Sequence, residues 1–151
     1  MNQRIKMELI PIKEQLADNI IFTDNPDYRD AIYQTVDFYK RVGYNIPWIG
    51  YCVQSDGVLK GCAAFKGKPL NGKVEIAYGV FPQYYGQGIG TKIAAVLIDL
   101  ALKTDPSVTI TAKTLPEENY SVKILRKNKF KFLGIVMNEE DGEVWEWEYQ
   151  K

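Results

Sequence analysis

The chain has 151 residues, of which 46% are hydrophobic and 25% are charged, and this is enough to bury the core of one domain spanning 1–151. Nineteen basic residues balance nineteen acidic ones, so no bulk field attracts nucleic acid or an anionic membrane. The N-terminus lacks an apolar segment of signal-peptide length, and no run of about 18 apolar residues occurs anywhere. We therefore expect a cytoplasmic protein without nucleic-acid or membrane partners.

Cysteine and histidine usage limits the chemistry further. The chain has two cysteines and no histidine, so a zinc centre would lack its usual ligands and no metal site is expected. The absence of histidine also removes the commonest general base. Cys52 and Cys62 fall on two strands of a predicted hairpin, where a disulfide is geometrically possible, but free buried thiols are favoured in a reducing compartment.

The first half of the chain predicts one strand, two helices and three further strands. Residues 7–12 alternate weakly, as in a strand, and 13–19 suit a short helix. Asp24, Asn25 and Pro26 indicate the start of a second helix, which Gly43 ends. Turn residues connect the next three strands and favour antiparallel pairing; these strands are 48–54, 58–66 and 73–81.

The second half opens with a strand, a glycine loop and a long helix. After strand 73–81 come glycines at 86, 88 and 90, and apolar residues then follow helical spacing at 89, 93, 96, 97 and 100. A fifth strand at 107–114 should lie parallel to the fourth because a helix connects the two. A helix at 116–128 and a hairpin of strands 130–137 and 143–149 complete the chain.

A glycine loop that opens a helix suits phosphate binding, because the first helical turn presents unpaired N–H groups and the positive end of the helix dipole. Two familiar nucleotide loops do not fit. The chain has no GxxxxGK followed by Ser or Thr, and the GxG at Gly86 lacks the third glycine of a dinucleotide site. A pair of glycines, taken by itself, more often forms only a tight turn between a strand and a helix.

Two segments resemble the GNAT acetyltransferase family. FPQYYGQGIGTKIAAVLI is similar to its acyl-coenzyme A loop, (R/Q)xxGx(G/A), with Tyr85 at the first position, as in the branch that acetylates ribosomal protein N-termini. LPEENYSVKILRKNKFKFLG resembles the PENxxSxxVLxKxGFxxxG segment of that branch. Glu118 stands where the family has Asn, and Lys129 replaces a glycine.

The resemblance implies the GNAT fold, of the α/β (α+β) class. We expect a mixed, mostly antiparallel sheet of about seven strands, with elements in the order strand, two helices, three strands, helix, strand, helix and two strands. It also implies an acetyl-CoA-dependent N-acetyltransferase, in which an amine attacks the thioester directly within a ternary complex. The alternative is an acyl-CoA-binding or sensing module without turnover.

Acetyl-CoA would serve as cosubstrate, and the resemblance implies where it binds. A backbone N–H near Val80 would hold the thioester oxygen, and the pyrophosphate would lie on 87–91. Asn119 would supply the missing Asn contact only if the last helix started late. The implied cofactor-binding residues are Val80, Phe81, Tyr85, Gly86, Gln87, Gly88, Gly90, Thr91 and Asn119.

Three side chains are candidate catalytic groups. Glu75, on an uncrowded face of the central strand, is the candidate base, acting through water; its alternative is a cross-strand ion pair with Lys66. Ser121 occupies the position of the serine that this branch places near the sulfur, and its alternative is a helix cap. Tyr120 is the second candidate acid.

The amine acceptor stays open among small amines, antibiotics, polyamines, amino acids and protein N-termini, and so does the choice between monomer and homodimer. Six acidic residues and no basic one lie between 132 and 150, which suits attraction of a cationic amine or protection of an edge strand. Aromatic residues of the first half are candidates to shape the acceptor pocket, although packing explains them equally well. They are Tyr28, Tyr33, Tyr44 and Trp48.

Overall fold

The computed structural model describes residues 7–151; residues 1–6, which belong to the predicted domain, lie outside the described part. The strands are β1 (Met7–Pro11), β2 (Gly50–Ser55), β3 (Val58–Phe65), β4 (Lys73–Val80), β5 (Thr109–Thr114), β6 (Phe130–Asn138) and β7 (Gly142–Tyr149). The helices are α1 (Ile20–Thr23), α2 (Pro26–Val42), α3 (Ile89–Thr104) and α4 (Tyr120–Lys127), and short 3-10 turns cover Leu16–Asn19 and Pro82–Tyr84.

The seven strands form one sheet in the order β1-β2-β3-β4-β5-β7-β6. All neighbouring pairs are antiparallel except β4 and β5, which run parallel. The predicted strand count, the mostly antiparallel pairing and the single parallel pair are therefore confirmed. The parallel pair follows from the α3 crossover, which returns the chain to the same end of the sheet.

Helix α2 packs on one face of the sheet. Asn25 caps its start by accepting a hydrogen bond from the Asp27 N–H at 2.9 Å, and Gly43 ends it with a φ of 91°. Two buried tyrosines fix the helix to the strands. The Tyr28 hydroxyl donates to the Gly61 carbonyl at 2.9 Å, and the Tyr39 hydroxyl accepts from the Gly50 N–H at 2.9 Å.

Helices α3 and α4 cover the opposite face. Ile76, Ile110 and Trp147 project from the sheet on this side and are almost fully buried. The Trp147 indole N–H donates to the Thr114 hydroxyl at 3.0 Å, which satisfies the polar atom of the largest core side chain. The guanidinium of Arg126 in α4 lies over the Trp147 ring, 5.5 Å from its centroid. On this face, the core therefore lies between β4, β5, β7 and these two helices.

Four predicted elements start later than expected. The strand predicted from 48 begins at Gly50, and in the other three cases a side chain binds the backbone locally. Asn19 bonds to the Lys13 N–H and carbonyl at 2.8 and 3.0 Å, so 13–15 form a loop before the 3-10 turn rather than a helix. Asp105 accepts from the Ser107 N–H at 3.0 Å, so β5 begins at Thr109. Asn119 caps α4, which starts at Tyr120 and not at 116.

Cys52 lies directly opposite Cys62 in the β2–β3 pair, as expected, and both are free thiols. Burial raises the pKa of Cys62 to about 11, so this thiol is protonated at neutral pH. Among residues 7–151, no helix is long and apolar enough to span a membrane, and no cluster of acidic or thiol side chains is arranged to hold a metal ion.

Candidate active site

A gap opens between the parallel strands β4 and β5. They pair from Lys73 with Thr109 as far as Ile76 with Ala112, and β4 then continues to Val80 without a partner in β5. Helix α3 starts just beyond the end of β4 and α4 just beyond the end of β5. The gap is therefore bordered by two helix N-termini and by unpaired backbone groups of β4.

The backbone of β4 fixes which groups point into this gap. Lys66 donates its N–H to the Glu75 carbonyl at 2.8 Å, and Phe81 donates its N–H to the Lys60 carbonyl at 3.0 Å. These odd-numbered positions therefore face β3. Because alternate residues of a strand direct their backbone groups to opposite sides, the N–H of Val80 faces the gap, as does that of Tyr78.

The glycine loop provides an open cradle beside the gap. Gly86 and Gly88 have φ values of 78° and 75°, which other residues adopt only with strain, and a Cβ on either would meet nothing within 4 Å. The hydrogen bond from Lys92 to the Gly88 carbonyl is the first of α3. The N–H groups of 89–91 therefore lack acceptors within the helix, so the loop fits an anionic group such as a pyrophosphate.

At position 90, packing against α4 requires a glycine. A Cβ there would collide with Cδ1 of Ile124 and would lie 3.2 Å from the Tyr120 hydroxyl, so the missing side chain lets α4 approach the first turn of α3. The Asn128 side chain donates to the Thr91 carbonyl at 3.1 Å and ties the end of α4 to the same turn. The Tyr120 ring lies 5.6 Å from the Tyr85 ring beside the loop.

The start of α4 resolves two alternatives from the sequence. Asn119 accepts a hydrogen bond from the Val122 N–H at 3.0 Å, so Asn119 is the cap and the reading of Ser121 as the cap is wrong. The helix starts late, which is the condition under which Asn119 could contact coenzyme A. Glu118 is engaged elsewhere, since its two oxygens bind Arg126 at 2.7 and 2.8 Å on the surface.

Tyr78 is a member of the site that the sequence did not reveal. Its hydroxyl donates a hydrogen bond to the Ser121 carbonyl at 3.3 Å and so links β4 to α4. Burial, together with nearby Tyr120, raises the pKa of Tyr78 above its ordinary value, so the hydroxyl stays protonated. Its alternation with Ile76 along the strand is typical of a core residue, and the signal available was its position near the end of the central strand.

Glu75 forms the ion pair that was its alternative reading, and a second one besides. Its carboxylate oxygens lie 3.8 Å from the Lys66 ammonium and 3.2 Å from the Lys113 ammonium. The Lys113 contact was missed, although the parallel register that pairs Glu75 with Thr111 places Lys113 two residues further along the same face. The ion pairs leave the side chain of Glu75 20% exposed, so water can still reach it.

Two adjoining cavities lie beside β4, with volumes of about 390 and 330 Å³. The smaller lies against α2, and the larger lies where β4 and β5 separate, at the start of α4. We call them together the acceptor groove. Both are lined by Lys66 and Ala77, and the β6–β7 turn contributes Asp141 to one and Glu140 to the other. The remaining residues of the larger cavity include Glu75, Lys113, Asn119 and Ser121, and those of the smaller one include Ala31, Gln34, Thr35, Phe38 and Arg41.

The structure therefore brings three of the predicted residues, Glu75, Ser121 and Asn119, into one cavity. The glycine loop, Val80 and Tyr120 line neither part of the groove. The four aromatic candidates for the acceptor pocket do not line it either: Tyr28, for example, is fully buried against Gly61. The groove uses Phe38 and Phe65 instead, which no spacing in the sequence singled out.

A parallel strand pair that separates beside a glycine-opened helix, with an adjoining groove, suits the binding of an anionic group next to a second ligand. The model of the family described as acetyltransferase (GNAT) domain matches residues 9–131. The chain therefore belongs to the GNAT acetyltransferase family, and the fold and activity class implied by the sequence are confirmed. No curated protein matches the chain.

Solved structures share the fold at low sequence identity. RimL, a ribosomal L7/L12 alpha-N-protein acetyltransferase in complex with coenzyme A, is 18% identical with a TM-score of 0.67, covering 96% of this chain and 97% of its own. Aminoglycoside acetyltransferase AAC(6′)-Ib with coenzyme A is 16% identical, with a TM-score of 0.67 and coverages of 98% and 95%. The putative acetyltransferase yncA from Salmonella typhimurium with acetyl-CoA is 17% identical, with a TM-score of 0.63 and coverages of 98% and 94%.

Proposed function

We propose that this GNAT acetyltransferase binds acetyl-CoA in the β4–β5 gap and a primary amine in the acceptor groove, and that the amine attacks the thioester directly. The observation that carries the proposal is that the larger cavity of the groove reaches the point where β4 and β5 separate, since Ile76, Ala77 and Thr114 line it. The gap exposes the N–H of Val80, and the groove holds Glu75 and Ser121. Two substrates can therefore meet at the end of one strand without a covalent enzyme intermediate.

Acetyl-CoA supplies an activated acetyl group, and backbone groups of this chain would hold it. The N–H groups of 89–91 and the open cradle at Gly86 and Gly88 suit the pyrophosphate. Phe81, Tyr85, Gln87 and Asn119 are proposed to border the bound molecule. The Val80 N–H would donate to the thioester oxygen, where negative charge develops as the amine attacks.

The amine must lose a proton, since an α-amine has a pKa of about 8 and a lysine-like amine about 10. Glu75 is the proposed acceptor of that proton, through water in the larger cavity, and Lys66 and Lys113 hold its carboxylate in place. The Ser121 hydroxyl would return a proton to the leaving thiolate, with Tyr120 as the second candidate. A free thiol has a pKa of about 8.5, so this acid assists the reaction without being indispensable.

The experiment that tests the proposal measures acetyl transfer to a panel of primary amines by mass spectrometry, with Glu75→Gln and Lys113→Gln as a matched pair. Both variants break the same ion pair, but only Glu75→Gln removes the base. We expect kcat to fall about 10²- to 10⁴-fold in Glu75→Gln and to change only slightly in Lys113→Gln. Equal effects of the two variants would contradict the role of Glu75. Acetyl-CoA binding without acetylation of any amine would contradict the transfer itself.

A further inference from the structure

Strand β6 is an edge of the sheet, and it is nine residues long. Four of its large hydrophobic side chains are exposed, which is unusual for an edge strand, because an exposed apolar edge invites pairing with another chain. The exposed fractions are 45% for Phe132, 44% for Leu133, 58% for Ile135 and 79% for Met137. The opposite edge, β1, has five residues within the described part of the chain and ends in a proline, which discourages pairing.

A β-bulge aligns three of these side chains in one strip. Phe132 pairs with Trp147, and past the register shift Ile135 pairs with Trp145 and Met137 with Glu143. Since residues 143, 145 and 147 share one face of β7, their partners share that face too. Without the bulge, Gly134 and Val136 would occupy these positions, so the irregularity produces the continuous apolar strip.

The two ends of β6 carry opposite charges. Lys129 and Lys131 lie at its start, and Glu139, Glu140 and Asp141 follow its end. A strand of this kind is complementary to itself in the antiparallel direction, because the basic end of one copy then lies beside the acidic end of the other. The net charge of the chain is zero, so no overall repulsion opposes self-association.

We propose that two copies of this chain pair through β6 in an antiparallel arrangement about a two-fold axis, extending the sheet across both. In an interface of this symmetry, Ile135 lies near the axis, and the strips of Phe132, Ile135 and Met137 continue into one another. Lys131 of each copy lies close to Glu139 of the other. The interface also lies next to the β6–β7 turn, whose residues Glu140 and Asp141 line the acceptor groove.

Light scattering after size exclusion tests the proposal directly. The wild-type protein is expected at twice the 17.3 kDa of one chain. Ile135→Lys is expected to run at the mass of one chain, because two like charges would meet at the axis. Leu70→Lys is the matched control: it adds the same charge at a side chain that is 75% exposed in the β3–β4 connection, and it should leave the dimer intact.

Charge reversal tests the direction of pairing. Lys131→Glu alone and Glu139→Lys alone should each weaken self-association, since each places like charges at both ends of the interface. A mixture of the two variants should form heterodimers, because each contact is then between opposite charges. A monomeric wild-type protein, a dimer that Ile135→Lys does not disrupt, or a mixture that fails to associate would overturn the proposal.

Discussion

The β4–β5 gap and the acceptor groove adjoin, but they are built differently. In the gap, the groups presented are backbone N–H groups of Val80 and of the first turn of α3. The lining of the acceptor groove includes side chains from α2, β3, β4, β5, α4 and the β6–β7 turn. One region depends on the shape of the main chain, and the other on which side chains distant segments bring together.

This difference separates the part of the site that related acetyltransferases can share from the part that can differ between them. A backbone site tolerates sequence change as long as glycines such as Gly86 and Gly88 permit its geometry, so one cradle can serve many acetyltransferases. A groove of side chains changes with every substitution. Members of the family can therefore keep one acyl donor while they differ in the amine they accept, and the groove is where the acceptor of this chain must be sought.

Filling the groove should separate the two regions most strongly. Ala77 lies on its floor and lines both cavities, so we expect Ala77→Phe to lower kcat/KM for the amine at least about 100-fold by excluding the acceptor. Acetyl-CoA affinity, measured by calorimetry, should stay within a few fold. Ala95→Phe, on the exposed side of α3, is the control and should change neither quantity. An equal loss of kcat/KM for the amine and of acetyl-CoA affinity would mean that the two regions are not distinct.

The attachment of α2, one wall of the groove, can be weakened without touching the gap. Tyr28→Phe removes the hydroxyl that donates to the Gly61 carbonyl and accepts from the Gly61 N–H at 3.2 Å, leaving both groups buried without that partner. We expect the free energy of unfolding to fall by about 1–3 kcal/mol in urea titration. Tyr33→Phe on the same helix, where the ring is 47% exposed, should have little effect. Equal effects of the two variants would contradict the anchoring role of Tyr28.

Ser121 lies where the two regions meet, so its removal should have the smallest and most selective effect. We expect Ser121→Ala to lower kcat by roughly tenfold, because a thiolate leaves without strong acid assistance. KM for acetyl-CoA should change little, because the variant keeps the Ser121 carbonyl that accepts a hydrogen bond from the Tyr78 hydroxyl. A steady-state kinetic comparison checks this, and an unchanged kcat would transfer the role of acid to Tyr120.

The sequence located the glycine loop at the start of α3 but not the side chains that line the groove, for a physical reason. Gly86 and Gly88 must be glycines because of their dihedral angles, so a local pattern identifies the loop. The two lysines on Glu75 come from the residue after β3 and from β5, and only the three-dimensional register makes Lys113 its neighbour. Likewise, the wall formed by Phe38 has no local signature, since core and groove residues recur at the same helical spacing.

The starts of elements were missed for a related reason. Side chains such as Asn19, Asp105 and Asn119 bind nearby backbone groups and replace the first turn of a helix or the first residues of a strand. The hydrophobic pattern of the sequence gives no indication of these hydrogen bonds. The predicted spans therefore extended too far at their N-terminal ends, while the order and pairing of the elements were correct.

The measurement that tests the central claim most directly is acetyl-CoA binding by calorimetry to the wild-type protein, Gly88→Trp and Gly57→Trp. The two glycines have φ values of 75° and 78° and open space around them, so both substitutions introduce similar strain, but only Gly88 lies in the cradle. Gly57→Trp should bind like wild type, and Gly88→Trp should lose affinity at least about 100-fold, which corresponds to about 2.8 kcal/mol of binding free energy. Unchanged binding in Gly88→Trp would mean that the glycine loop does not hold acetyl-CoA.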